Sequence, residues 1–302
     1  MSDVEKIAKF ELSKTGGIFP VSSNQENNRP MAKENPFFNR TRLLVGDDIM
    51  ERLGNARVLV VGVGGVGSWC AESLVRSGIT DITIVDSDRV CITNVNRQLM
   101  ATSKTVGLVK VDALADRLKA INPHVKVTSI QQIYTEETAD DFDLDSYDYV
   151  IDAIDSLKDK ALLILRATAS RAKFFSSMGA ALKVDPSKID VAEFWNVKGC
   201  PLARALRNKF KKSHQFPRRK FMCVYSPELV SNRGKNSSCG TDKCVCPKAV
   251  NGPGNQDLLN HEWCSSKAQI NGTLAHITAI FGFTLAGLVV QSIIKTADAE
   301  KD

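Results

Sequence analysis

The segment Gly62-Val63-Gly64-Gly65-Val66-Gly67-Ser68 restricts the fold of this chain more than any other stretch. It follows the β-branched run Arg57-Val58-Leu59-Val60-Val61 and leads into residues 69–77, which have helical character and stop at Gly78. A strand that feeds a glycine turn opening a helix lets backbone N–H groups approach a phosphate, with the positive end of the helix directed at it. The next strand, Ile82-Thr83-Ile84-Val85-Asp86, ends on a carboxylate placed to accept hydrogen bonds from ribose hydroxyls. Gly62, Gly64, Gly65, Gly67 and Asp86 thus describe an adenine-nucleotide cradle. The plainer alternative is a glycine-rich turn that only packs helix on strand.

Downstream, the texture predicts a helix over 104–121 closed by Asn122-Pro123, strands at 125–130 and 147–152, and a helix capped by Ser156. Short continuous apolar strands alternating with helices imply an α/β fold, a Rossmann-like and mostly parallel sheet with helices on both faces. Past Met178 the pattern loosens into a strand at 188–194, a basic helix at 201–212, a strand at 221–226 and a loop-rich stretch at 231–271. The organisation read from this is a flexible arm at 1–36 and a Rossmann-like core at 37–197. A basic helix with a cysteine-containing insertion follows at 198–271, and a C-terminal helix packing on the core at 272–302.

With 43% hydrophobic and 25% charged residues in 302, the chain has the make-up of a folded domain, which excludes wholesale disorder and fibrous repeats. Its most apolar stretch, 277–290, is short for a membrane span and reads as a buried helix, so no membrane partner is expected. The first thirty residues mix acids and bases without the apolar run of a secretory signal. Reduced thiols and a cytoplasmic protein are therefore expected.

The glycine turn alone does not separate ATP from a nicotinamide dinucleotide. The residues after Asp86 do: Asp88, then Asn94-Val95-Asn96-Arg97-Gln98, then Lys110. Hydride transfer needs no cation over phosphates at this end of the sheet, whereas adenylation does, because charge builds on phosphoryl oxygens as pyrophosphate leaves. Arg97 and Lys110 would supply it. Asp155, on the same edge after the strand ending in Asp152, is placed to hold Mg²⁺ against a triphosphate. A helix-capping Asp155 with surface-exposed Arg97 and Lys110 is the alternative.

Together these motifs, over about residues 37–155, resemble the ubiquitin-activating-type adenylating enzymes, the group that includes the molybdopterin and thiamine sulfur-carrier activators. The resemblance implies that Asp86 binds ribose, that Asn94, Arg97 and Lys110 bind phosphates, with Asp88 and Gln98 in the same nucleotide site, and that Asp155 holds Mg²⁺. It also implies a homodimer, with Arg40, in Asn39-Arg40-Thr41-Arg42, reaching the partner subunit's ATP. Residues 151–156, Ser177-Met178-Gly179-Ala180, 185–189, 201–207 and Val224-Tyr225-Ser226-Pro227-Glu228 further resemble the tRNA threonylcarbamoyladenosine dehydratase branch. That branch implies adenylation of the threonyl carboxylate of a modified adenosine beside the anticodon, then ring closure with net loss of water. The alternatives are an activator of a ubiquitin-like sulfur-carrier protein, with a sulfur-transfer partner, and an NAD-dependent oxidoreductase. A non-catalytic RNA-binding module is a fourth.

Residues 198–220 carry nine cations and no acid, interleaved with Phe210, His214, Phe216 and Phe221. Arg204, Arg207, Lys211, Lys212, Arg218 and Arg219 are the candidates for holding tRNA through its phosphates, with aromatic faces for stacking. A solvated helix face is the alternative. Cys200, just before the basic helix, has no His or acid near it in sequence to support covalent chemistry. Cys239, Cys244, Cys246 and Cys264 could bind a structural Zn²⁺ through four thiolates, although their spacing is irregular and free thiols are the simpler reading.

Overall fold

The computed structural model describes residues 35–234 and 271–301. The four-cysteine candidate zinc site lies outside the described residues, as does all of the expected N-terminal arm except Asn35 and Pro36. Asn35 is buried, and its side chain accepts a hydrogen bond from the Phe37 N–H.

Seven strands form one sheet, in the order β3-β2-β1-β4-β5-β7-β6. They are β1 (Arg57–Val61), β2 (Asp81–Val85), β3 (Lys126–Ile130), β4 (Tyr149–Asp152), β5 (Lys173–Ser177), β6 (Asp190–Glu193) and β7 (Met222–Tyr225). All neighbours pair in parallel except β6, which runs antiparallel to β7 at the edge. The order reverses on either side of β1, between β2 and β4, and ligands bind at such a switch point in open α/β sheets. The sheet also continues beyond residue 197, because β7 lies between β5 and β6.

Alternation along the strands supplies two cores. Val58 and Val60 of β1 face α1 (Asn39–Asn55), α2 (Gly67–Ser77), α3 (Lys110–Ile121) and the C-terminal α6 (Ala275–Ala299). Leu59 and Val61 face α4 (Leu157–Ala169) and α5 (Pro201–Ser213). Burial on both faces explains why β1 and β2 read as continuous apolar runs.

The most apolar helix, α6, is long and apolar enough to cross a membrane by length and composition. One of its faces nevertheless packs inside the fold, with Ile277, Phe281, Leu285 and Val289 buried in the α1–α3 core. It crosses α2 at Gly282, where a Cβ would stand 2.5 Å from the Val66 carbonyl oxygen and 2.8 Å from the Cys70 amide nitrogen.

One predicted element is shorter than expected. The helix anticipated over 104–121 begins only at Lys110. Gly107 has φ +92° and Val109 is extended, and Arg89 bridges Val109 in antiparallel fashion. The Lys110 N–H donates to the Asp88 carbonyl at 2.9 Å. The chain therefore runs back along the residues after β2 before turning into α3, which brings Lys110 beside Asp86 and Asp88.

Candidate active site

The glycine loop joins β1 to α2 at the carboxyl edge of the sheet, and its glycines differ in what they permit. Gly62 has φ +87°, and a Cβ there would lie 2.8 Å from the Ala153 carbonyl oxygen. A Cβ on Gly67 would lie 1.8 Å from the Gly62 carbonyl oxygen. These two are glycine because backbone meets backbone. Gly65 is tight against Thr278, with 3.2 Å from a Cβ to Thr278 Cγ2, whereas a Cβ on Gly64 would meet only Gln98 Nε2, at 3.7 Å. Gly64 is thus the position of this loop where a side chain would be least crowded. Ser68 closes the turn, its Oγ donating to the Gly64 carbonyl at 2.6 Å and accepting from the Leu99 N–H at 3.2 Å.

Asp86 follows β2 on the same edge. Its carboxylate accepts hydrogen bonds from the Val63 N–H and the Asp88 N–H, both at 2.9 Å, so it is fixed to the glycine loop. Burial pushes this carboxyl above its ordinary value, against the pull of the Lys110 ammonium and the two N–H donors. Lys110 Nζ lies 2.7 Å from Asp88 Oδ2 and 3.8 Å from Asp86 Oδ1, and the residue is buried. Burial disfavours its charge, but Asp86, Asp88 and Asp155 outweigh that and hold it above the usual lysine range. Lys110 is accordingly cationic at any physiological pH. That Asp155 contributes to its field puts the two on the same side of the fold.

The segment 91–99 wraps the other side of the loop. Asn94 is buried and its Oδ1 accepts from the Cys91 N–H at 3.0 Å, fixing a tight turn. Arg97 Cδ lies 3.5 Å from a Cβ position on Gly65, and its Nη1 donates to the Thr93 carbonyl at 2.9 Å and to Asn96 Oδ1 at 3.0 Å. The Arg97 carbonyl accepts from Trp69 Nε1 on α2 at 3.0 Å. Gln98 is buried, and its Oε1 has no hydrogen-bond partner among the described residues. Thr278, at the start of α6, is a lining residue that sequence reading missed, because it is distant in sequence and sits in an apolar run.

Strand β4 ends on Asp152, which is fully buried, and Asp155, three residues on, is exposed. Among the described residues no group of three or more His, Cys, Asp or Glu side chains could hold a metal ion. Mg²⁺ is commonly held by one or two carboxylates together with phosphate oxygens, and Asp155 could supply one such carboxylate. Arg40, by contrast, is exposed near the start of α1 and is not among the residues that line this cradle. Arg42 lies 3.6 Å from Asp47.

The basic segment divides. Arg207 Nη1 donates to the Phe194 carbonyl at 3.0 Å with its guanidinium 5.8 Å from the Phe194 ring centroid. Arg219 donates to the carbonyls of Ser170, Ala167 and Ala172, closing the end of α4. Both of these guanidinium groups are engaged by internal carbonyls, whereas Arg204, Lys211, Lys212 and Arg218 are exposed. Phe210 and Phe221 are buried around Phe194, which corrects the expectation that they offer stacking faces. Phe216 is 49% exposed and pairs with Trp195 at 6.2 Å. Cys200 is buried at the N-cap of α5. Because Glu193 pairs with Met222 at the start of β7, the Trp195 end of this region lies at the amino edge of the sheet. The basic helix, 13 residues or about 20 Å long, thus reaches from the nucleotide edge toward the opposite one.

Comparison with known proteins agrees with this geometry. A profile of the ThiF family matches residues 38–301. A tRNA threonylcarbamoyladenosine dehydratase from Haemophilus influenzae is 35% identical over 256 residues, covering 82% of this chain and 89% of its own length. The crystal structure of the Escherichia coli tRNA N6-threonylcarbamoyladenosine dehydratase in complex with AMP superposes with TM-score 0.71 at 30% identity, covering 87% of this chain and 95% of that one. Its complex with ATP gives TM-score 0.70 with the same coverage and identity.

Proposed function

The chain belongs to the ThiF family, and from its likeness over most of its length to tRNA threonylcarbamoyladenosine dehydratases we propose that it is an ATP-dependent enzyme of that activity. The observation that carries the reading is the glycine loop itself, where an added Cβ on Gly64 would meet only Gln98 Nε2 at 3.7 Å and Arg97 lies against Gly65, with Asp86 bonded to the Val63 N–H and Lys110 beside Asp86. A nucleotide fits there with its ribose toward Asp86 and its phosphates over the N-terminus of α2.

The chemistry follows from the residue types. A free carboxylate is a poor electrophile. Attack of the threonyl carboxylate on the α-phosphorus of ATP expels pyrophosphate and yields an acyl-adenylate, and Arg97 and Lys110 offset the charge developing on the phosphoryl oxygens. Mg²⁺, held by Asp155, would neutralise charge on the triphosphate. The neighbouring ureido group of the same nucleoside then attacks the activated carbonyl, AMP leaves, and a ring closes; holding both groups on one molecule supplies most of the advantage. No protein nucleophile is required, and the buried position of Cys200 accords with that.

Exposed Arg204, Lys211, Lys212 and Arg218 would hold the tRNA backbone along α5, with the modified base at the nucleotide edge. Arg40 would complete the ATP site of a partner subunit in a homodimer; the 87% and 85% exposure of the adjacent Leu43 and Leu44 supports an apolar contact there. A cytoplasmic setting is in keeping with work on tRNA and ATP. The test is pyrophosphate release by the pure protein. Release should depend on tRNA carrying the threonylcarbamoyl group; release that needs instead a small protein ending in Gly-Gly would reassign the chain to sulfur-carrier activation.

A further inference from the structure

Lys160 and Asp152 form an ion pair of 2.7 Å in which both side chains are entirely shielded from solvent. Burying two charges costs more than burying two apolar groups of similar volume, so stability alone does not account for such a pair. Two of its contacts converge on one short turn. Asp152 Oδ1 accepts the Ile154 N–H at 3.1 Å, and Lys160 Nζ donates to the Ile154 carbonyl at 3.0 Å. Ser176 Oγ, from β5, donates to Asp152 Oδ2 at 2.6 Å and completes the set. Both backbone polar groups of Ile154, the residue before Asp155, are therefore held by the pair.

The same turn abuts the glycine loop. A Cβ on Gly62 would lie 2.8 Å from the Ala153 carbonyl oxygen and 3.1 Å from the Ile154 nitrogen, and the Ala153 N–H donates to the Val61 carbonyl at 2.9 Å. The turn is thus fixed from below by buried charge and from the side by the phosphate cradle, and Asp155 emerges from it.

We propose that Lys160, Asp152 and Ser176 are positioning residues that hold the Asp155 carboxylate where it meets the Mg²⁺ of bound Mg·ATP, an inference that rests on the nucleotide-site reading above. Lys160 touches neither substrate nor metal and acts through the backbone of Ile154. Partners that orient a metal-binding carboxylate commonly cost 10–100-fold in metal affinity or activity when removed.

The test compares Lys160→Met, Ser176→Ala, the double variant Lys160→Met/Asp152→Asn and the reference variant Asp155→Ala. Each is assayed for thermal melting and, by calorimetry on the full chain, for ATP binding with EDTA and with Mg²⁺. Lys160→Met leaves a lone buried carboxylate and should melt well below the wild type, whereas the double variant leaves no lone charge and should melt close to it. The double variant should bind ATP in EDTA as the wild type does, yet lose about tenfold in the affinity that Mg²⁺ adds. Ser176→Ala, the mildest change, should shift it less in the same direction, and it decides the matter if the others do not fold. A wild-type Mg²⁺ effect in well-folded variants would overturn the positioning role if Asp155→Ala loses that effect. Asp155→Ala keeping it would overturn the metal assignment and the positioning role together.

Discussion

Gly64 and Gly67 stand three positions apart in one loop, yet the same substitution has opposite meanings at the two. A methyl group at Gly67 would run into the Gly62 carbonyl, so Gly67→Ala is expected to cost at least about 3 kcal/mol, read as a fall in the midpoint of chemical unfolding. At Gly64 the methyl would make only an ordinary contact, 3.7 Å from Gln98 Nε2; Gly64→Ala should change stability by no more than about 0.5 kcal/mol and weaken ATP binding about tenfold or more by occupying the phosphate position. If Gly64→Ala binds ATP normally, the phosphates lie elsewhere. Arg97→Ala should lower turnover about 10²–10³-fold while leaving tRNA affinity nearly unchanged, because its charge is wanted only where phosphate charge develops. An equal loss in kcat and in tRNA binding would move Arg97 out of the nucleotide site. Lys110 is a less clean probe, since its removal also strips Asp86 and Asp88 of their counter-charge.

Among the elements, α5 and the segment that follows it to residue 220 carry the sharpest distinction between cations of equal formal charge. Lys211→Ala and Lys212→Ala should each flatten the salt dependence of tRNA binding by about one in the log–log slope. Arg219→Ala should leave that slope unchanged and instead destabilise the fold by about 1–3 kcal/mol, because three internal carbonyls lose their donor. The sequence run of nine cations could not make this division, which depends on α4 ending against residue 219. Other elements were legible for clear reasons. Strand β1, the glycine loop and Gly78, in the left-handed region at φ +114°, carry local chemistry that admits little else. The start of α3 lies later than the sequence suggests because residues 103–107 turn, with the Thr105 N–H donating to the Thr102 carbonyl and the Leu108 N–H to the Thr105 carbonyl, and because the bridge of Val109 to Arg89 is a tertiary pairing. Thr278 and Lys160 were invisible for a related reason: one sits in an apolar helix and the other in an amphipathic one, and only the packing of α6 and the closing of α4 bring them to the site.

For the whole molecule, the carboxyl edge of one sheet gathers residues from most of the chain: the glycine loop, Asp86, the 91–99 segment, Lys110, the 152–155 turn and the start of α6. Such a site cannot be lifted out as a fragment, and perturbation far from the nucleotide should reach it through α6, whose Gly282 touches the Val66 carbonyl inside the glycine loop. The most direct measurement is mass spectrometry of the nucleosides of tRNA bearing threonylcarbamoyladenosine after incubation with the pure protein, ATP and Mg²⁺. The account predicts that the modified nucleoside loses the mass of one water, with one AMP formed per nucleoside converted and no conversion without ATP. An unchanged nucleoside, with ATP bound and the tRNA engaged, would contradict it.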